Sequence, residues 1–135
     1  MANIMYDKAY EAFGNGQINW LADTIKVVLV DTGAYTLNAA THEFLSDIPS
    51  GARVATSAAL AGKTNVLGVL DAGDASWPAV AGPSGEAVVI FKDTGTAGTS
   101  RLIFYLDTAS GLPVTPNGGD INIKWNDGTD KIGRL

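Results

Sequence analysis

The chain has 135 residues, the usual size of one domain, and 46% of them are apolar, which excludes wholesale disorder. Nine basic against fourteen acidic residues give a net charge of −5, and the cations are scattered singly, so the sequence predicts no nucleic-acid partner. Because the chain has no cysteine, a disulfide scaffold, a cysteine nucleophile and thiolate metal sites are excluded.

The N-terminal residues lack the cationic stretch and apolar segment of a signal peptide, and no apolar run has the length of a membrane span. Sixteen glycines and five prolines indicate a chain with many turns. The sequence therefore predicts a turn-rich protein with no membrane partner, made in the cytosol and kept or assembled there.

The first predicted element is a helix over residues 4–13, where bulky side chains recur near helical spacing with charged residues between them. Gly14-Asn15-Gly16 ends it, because glycine and asparagine accept the left-handed conformation. The sequence thus predicts a single β-rich domain in which a helical arm, residues 1–20, precedes a β core, residues 21–135.

Residues 24–30 form the clearest predicted strand, and five of the six side chains of Ile25–Val30 are apolar. Both faces of this strand are therefore expected to be covered, as in a central strand of a sheet or sandwich. Asp31-Thr32-Gly33 ends it as a turn. Residues 34–51 have weak periodicity, which predicts a long ordered connection with a short helix near residues 41–45.

Two hairpins are predicted in the second half of the chain. The first pairs residues 53–61 with residues 64–70 across a turn at Gly62-Lys63, and a loop over residues 71–83 follows it. The second pairs residues 87–92 with residues 101–107, which are β-branched and aromatic and give the stronger strand signal.

The C-terminal part begins with a polar turn over residues 113–120. A strand over residues 121–125 follows, a turn at Asn126-Asp127-Gly128 comes next, and a last short strand covers residues 131–135. The alternation in residues 121–125 places three side chains inward: Ile121, Ile123 and Trp125. Strands that recur with turn signals between them indicate a mainly β fold, a β-sandwich or barrel-like single domain with a short N-terminal helix.

The sequence contains no catalytic constellation. The single histidine, His42, cannot build a multi-histidine zinc site, and no G-x-S-x-G motif accompanies it, so it is interpreted as a loop or interface residue. Gly62-Lys63-Thr64 lacks the first glycine of a phosphate-binding loop and is interpreted as a turn. The sequence therefore predicts no enzyme, no catalytic residue and no cofactor.

Most acidic residues are aspartates beside glycine, threonine, serine or asparagine, where a carboxylate caps a turn by accepting backbone N–H bonds. This pattern favours a structural role over a pair of catalytic carboxylates. No aspartate cluster matches an EF-hand, so no metal site is predicted. A weak Ca²⁺ site is left open at two clusters: Asp71 with Asp74, and Asp120 with Asp127 and Asp130.

A series of motifs extends along nearly the whole chain. Its members are Tyr6-Asp7-Lys8-Ala9, Gly16-Gln17-Ile18-Asn19, Asp23-Thr24-Ile25-Lys26-Val27-Val28-Leu29-Val30, Ala34-Tyr35-Thr36, Thr41-His42-Glu43-Phe44-Leu45-Ser46-Asp47, the acidic loop from Asp71 to Trp77-Pro78, and the strand with Ile121, Ile123 and Trp125. This series resembles small structural proteins of tailed bacteriophages. That group shares a short N-terminal helix, a "DTIKV-LV" strand and a "TH-FLSD" segment.

The resemblance implies a non-enzymatic virion component, with a capsid decoration (cement) protein that binds and stabilises the outside of the head as the first choice. Its implied partners are the major capsid protein and copies of itself, a homo-oligomer such as a trimer, on the capsid surface after synthesis in the host cytoplasm. The candidate interface residues are aromatic side chains of the kind enriched at interfaces: Tyr6, Tyr10, Phe13, Trp20 and Trp77.

Three other interpretations stay open at this point. A tail or head–tail component, such as a connector or fibre-associated protein, is the second choice. A carbohydrate-binding or hydrolytic module that recognises the host surface is the third, and it would use a surface tryptophan or an aspartate pair. Independently of these, Tyr6, Tyr10 and Phe13 equally fit the simpler role of covering this domain's own sheet.

Overall fold

The computed structural model describes residues 3–125 and 131–135. Within these residues there is one α-helix, α1 (Asp7–Gly14), and two short 3-10 helices span Leu45–Asp47 and Ser50–Ala52. No helix in this part of the chain is long and apolar enough to cross a membrane. The strands are β1 (Asn3–Met5), β2 (Ile25–Val30), β3 (Arg53–Thr56), β4 (Thr64–Val66), β5 (Val69–Asp71), β6 (Ala75–Trp77), β7 (Ala87–Lys92), β8 (Arg101–Leu106), β9 (Ile121–Ile123) and β10 (Gly133–Arg134).

The largest sheet is antiparallel and has five strands in the order β1-β8-β7-β2-β3. Apart from one partly buried cation in each strand, Lys26, Lys92 and Arg101, the side chains of β2, β7 and β8 are buried on both faces. Each fully buried Val, Leu, Ile or Phe side chain stabilises the fold by about 1.5–3 kcal/mol. The strand predicted over residues 24–30 is confirmed as an interior strand, because β2 lies between β7 and β3. The hairpin predicted for residues 87–92 and 101–107 is confirmed as β7 and β8.

A three-stranded sheet, β10-β5-β4, and a two-stranded sheet, β6-β9, complete the fold. Both contribute side chains to the same hydrophobic core as the large sheet. The indole Nε1 of Trp77 donates a hydrogen bond to the carbonyl of Val27 at 3.3 Å, which ties β6 to β2. Ile121, Ile123 and Trp125 point inward as predicted. The mainly β fold with a short N-terminal helix is confirmed.

The N-terminal segment departs from its prediction. Residues 3–5 form β1, which pairs with β8, and the helix begins only at Asp7. The face of α1 that packs on the sheet carries Ala9 and Ala12, whose small side chains let the helix approach β8 closely. Six side chains of this segment are buried in the core: Met5, Tyr6, Ala9, Ala12, Ile18 and Trp20. The segment predicted as a helical arm therefore packs on the β core.

The first predicted hairpin is wrong. Residues 53–56 form β3, which pairs with β2, and residues 57–60 continue along β2 through the N–H of Ser57 to Val27 and the N–H of Leu60 to Ile25. Strand β4 pairs instead with β5 across a tight turn at Leu67-Gly68. The small side chains of residues 53–61 fit against β2, and this long-range pairing replaces the local one.

Two further predicted elements are revised. The loop over residues 71–83 contains strand β6, which pairs with β9. The helix expected near residues 41–45 lies later, at Leu45–Asp47, because Oδ2 of Asp47 accepts the N–H groups of Glu43 and Phe44 and fixes the start of the turn there. The turn predicted at Asn126-Asp127-Gly128 lies outside the described residues.

Candidate interaction surface

The three-stranded sheet has one side turned to the core and one turned to solvent. Residues opposite each other in an antiparallel pair share a face, and the register sets Thr64 against Asp71, Val66 against Val69, and Arg134 against Val69. Asn65, Leu70 and Gly133 share the other face, on which Leu70 is fully buried. The solvent-facing side, here called the outer face, consists of Thr64, Val66, Val69, Asp71 and Arg134.

An apolar tip ends this sheet. The turn between β4 and β5 is formed by Leu67 and Gly68, both with positive φ, 54° and 86°. Leu67 is 92% exposed and Val66 is 64% exposed. The N–H of Leu135 donates to the carbonyl of Gly68 at 2.9 Å, which brings the 45% exposed Leu135 beside the turn. The apolar tip is defined as Val66, Leu67 and Leu135.

A concavity of about 440 Å³ lies over the outer face and the tip. The exposed cations Lys131 and Arg134 stand at its rim, together with the half-buried Asp71. Neither cation forms an ion pair with any residue that the structure describes. Four other cations are paired with carboxylates: Lys8 with Glu11, Lys26 with Asp93, Lys92 with Asp23, and Arg101 with Glu43.

A second groove of about 560 Å³ adjoins this concavity on the other side of β10, and it is also lined by Lys131 and Arg134. Its opposite wall is formed by the N-terminal strand and helix, including Asp7 and Tyr10. Tyr10 is 48% exposed and extends into this groove. Lys131 and Arg134 therefore line both the concavity and the neighbouring groove.

The predicted interface residues fall into two groups. Tyr6, Trp20 and Trp77 are buried in the core, because the strands and the helix close over them, so they are not surface residues of this domain. Phe13 is partly buried against the same core, and Tyr10 is the member of the set that reaches solvent. Of the three residues that the simpler interpretation assigned to the domain's own sheet, Tyr6 and Phe13 pack against the core and Tyr10 is half exposed.

All three tryptophans of the chain are buried, including Trp125, and each indole N–H donates to a backbone carbonyl. A ring enclosed in this way presents no free face on which a sugar could stack. A carbohydrate module that relied on Trp77 at the surface is therefore not supported by the fold.

The apolar tip was missed in the sequence, where Val66 and Leu67 fall inside the predicted strand 64–70. A Val-Leu-Gly-Val run reads as continuous strand, because leucine is an unusual residue for a turn that requires positive φ. The glycine of this run, Gly68, was the available signal for a turn.

The remaining candidate residues have structural contacts. His42 is half-buried, and its Nδ1 lies 2.7 Å from the hydroxyl of Tyr35. Oδ1 of Asp74 accepts the N–H of Trp125, and Oδ1 of Asp120 accepts the N–H of Ala79. Within residues 3–125 and 131–135 no three acidic or histidine side chains converge as a metal site would require. Two of the aspartates considered for Ca²⁺ lie outside those ranges: Asp127 and Asp130.

Burial and hydrogen bonding perturb several ionisable groups. Burial raises the pKa of Tyr6, and its hydrogen bond to Tyr35 raises it further. The hydrogen bond from Lys26 and the N–H of Gly95 lower the pKa of Asp93. Burial alone would raise the pKa of Glu86, but hydrogen bonds from neighbouring hydroxyl and N–H groups outweigh it, and the net shift is downward.

On the outer face and the apolar tip, exposed apolar side chains lie beside two cations that have no ion pair among the residues the structure describes. Neither a protein-family model nor a curated protein sequence matches this chain.

Proposed function

We propose that this protein is a non-enzymatic structural protein of a tailed-bacteriophage virion that decorates the outside of the head by binding the major capsid protein. The motif series of the sequence, from Tyr6-Asp7-Lys8-Ala9 to Trp125, supports membership of a virion. The observation that carries the binding role is the apolar tip, where Val66, Leu67 and Leu135 face solvent in a domain that buries most of its large apolar side chains.

Binding of a partner that covers exposed apolar side chains of this kind is favourable, because it removes apolar surface from water. Full burial of one leucine side chain contributes about 1.5–3 kcal/mol, and the backbone of the tip is already held by the β4–β5 hairpin and by the bond from Leu135 to Gly68. A preformed tip loses little conformational entropy on binding, which suits a protein that must occupy many equivalent lattice sites.

Copies of the chain also meet one another in this proposal, as a homo-oligomer on the capsid surface. Tyr10 supports this part, because it is the predicted interface aromatic that the fold leaves half exposed. Tyrosine is enriched at interfaces, where its ring is covered and its hydroxyl finds a polar partner.

The test begins with virions of the phage whose genome encodes the chain, labelled with antibody against it and viewed by negative-stain electron microscopy. Label spread over the head supports decoration. Label confined to the tail or the neck replaces decoration with a tail or head–tail role, and unlabelled particles contradict an exposed virion position.

A binding assay then asks whether the apolar tip makes the contact. Purified protein is sedimented with heads that lack it, and Leu67→Asn is compared with Leu21→Asn. Leu21 is a matched control because it is also exposed, at 57%, and does not line the concavity. Loss of co-sedimentation in Leu67→Asn but not in Leu21→Asn is the expected result. Equal behaviour of the two variants would contradict attachment through the tip.

A further inference from the structure

The chemistry of the outer face is unusual for this protein. The chain carries a net charge of −5, and three of the four cations on the large sheet are paired with carboxylates, as Lys26 is with Asp93 at 2.9 Å. The fourth, Arg53 on β3, has no ion pair among the described residues, but its Nε is buried. Lys131 and Arg134 instead stand exposed beside an apolar floor. A locally basic and apolar surface on an acidic protein is complementary to a ligand that combines carboxylates with apolar side chains.

We infer that the outer face and the apolar tip bind an acidic, apolar segment of the partner protein, with its apolar side chains on Val66, Leu67 and Val69 and its carboxylates on Lys131 and Arg134. The inference rests on the proposed function in taking that partner to be a capsid protein. The chemistry of the ligand follows from the surface alone.

The register of the small sheet gives the arrangement in more detail. Val66, Val69 and Arg134 lie in one row across β4, β5 and β10, so a segment crossing the strands meets two valines before it meets the guanidinium. Neighbouring strands are about 4.8 Å apart, which places the guanidinium within reach of a carboxylate one or two residues from an apolar anchor. Arginine can also donate two parallel N–H hydrogen bonds to one carboxylate, and this bidentate pair is stronger and more specific than a single hydrogen bond.

A polyanion such as nucleic acid fits the surface less well. Nucleic-acid affinity comes from many phosphate contacts, whereas this face provides two cations, an aspartate and three exposed or half-buried apolar side chains. The acidic remainder of the chain would repel a long polyanion. A short segment with one or two carboxylates avoids that repulsion.

The test uses the full chain, labelled with ¹⁵N, in an NMR titration with two synthetic peptides. One peptide alternates leucine and glutamate, and the other alternates leucine and lysine. The expected result is a shift of the amide signals of residues 64–71 and 131–135 with the glutamate peptide, weakened by salt, and no comparable shift with the lysine peptide.

Two charge reversals make the result specific. Arg134→Glu is expected to lower the affinity for the glutamate peptide about three- to tenfold, and Lys131→Glu provides a second variant at the same rim. Lys124→Glu changes the net charge equally but does not line the concavity, so it should leave the affinity unchanged. Both variant positions at the rim are exposed, so the fold is expected to persist.

Several outcomes would overturn the inference: no shift at these amides, equal shifts with both peptides, equal loss in Lys124→Glu, stronger binding of a single-stranded oligonucleotide, or signals showing that a second copy already covers the face. Because the titration needs no virion, its failure is separate from failure of the proposed function. If the protein binds the glutamate peptide but does not bind heads, the acidic, apolar ligand is supported and the capsid protein is rejected as the partner. If heads bind Arg134→Glu as well as they bind the unaltered protein, the capsid protein is supported as the partner and the acidic ligand segment is rejected.

Discussion

The hydroxyl of Tyr6 lies 2.9 Å from the hydroxyl of Tyr35, and both side chains are buried. The hydroxyl of Tyr35 lies in turn 2.7 Å from Nδ1 of His42, which also accepts the N–H of Asn38 at 3.3 Å. Because Nδ1 accepts the backbone N–H, it carries no proton in this arrangement, and Tyr35 donates to it. The Tyr35 oxygen is then the acceptor for Tyr6, and one chain of hydrogen bonds runs from the helix start to the loop.

This direction predicts unequal effects of two hydroxyl deletions. Tyr35→Phe leaves the fully buried Tyr6 hydroxyl without an acceptor and is expected to lower the free energy of unfolding by about 1–3 kcal/mol. Tyr6→Phe leaves Tyr35 its bond to His42 and should cost about 1 kcal/mol. Urea denaturation of both variants and of the double variant measures this, and a larger loss in Tyr6→Phe would reverse the assigned direction.

At the apolar tip, stability and binding are predicted to change in opposite directions. Leu67 holds a φ of 54°, which asparagine adopts at lower cost than leucine, so Leu67→Asn should raise the free energy of unfolding by about 1 kcal/mol. The same change removes the most exposed apolar side chain of the tip and should weaken binding to heads. Val66→Ser is the control, since it should weaken binding without the gain in stability. A destabilised Leu67→Asn would contradict the turn geometry.

The C-terminal strand is predicted to be part of the domain's packing. A Cβ on Gly133 would overlap the Phe104 ring, so Gly133→Ala should destabilise the protein by about 1–3 kcal/mol. Gly98→Ala is the matched control, because nothing lies within 4 Å of its Cβ position. Thermal unfolding of the two variants measures the difference, and an unchanged melting temperature in Gly133→Ala would show that β10 does not pack on the large sheet.

Acid is predicted to weaken the fold. The pKa values of Asp93 and Glu86 are lowered in the folded state, so their contribution is complete above the ordinary values of 3.8 and 4.5 and is lost as the pH falls through the lowered values. Asp93→Asn should lower stability at neutral pH and flatten the decline below about pH 4. Glu11→Gln is the matched control, because it removes the same charge at a side chain that is 61% exposed. An Asp93→Asn profile parallel to that of the unaltered protein would count against this.

The strands of the large sheet could be predicted because their signal is local. Strands β2, β7 and β8 each have a run of β-branched and aromatic residues long enough to define a strand without reference to the rest of the chain. Short strands of three residues, such as β5 and β6, give no comparable signal, because three residues do not establish an alternation. Strand β6 pairs with β9 and β5 pairs with β10, both far along the chain, although β5 also pairs with its neighbour β4 across the turn at Leu67-Gly68.

The candidate interaction surface could not be predicted for a related reason. An aromatic residue such as Tyr6 or Trp77 fits an interface and a core equally well, and its choice depends on which elements close over it. The sequence indicated the interface from these aromatics, whereas the fold encloses them and exposes Val66 and Leu67 instead.

By itself, the sequence determined the mainly β class, the long buried strands and the net negative charge of the chain. Charge follows from composition, and the strands follow from runs of apolar and β-branched residues that are adjacent along the backbone. Tertiary structure alone decided that residues 53–60 lie along β2, that β1 precedes the helix, and that the apolar tip lies beside the exposed cations Lys131 and Arg134. These features depend on competition between distant segments for one core. That competition is settled by burial and backbone hydrogen bonding between residues that no local pattern connects.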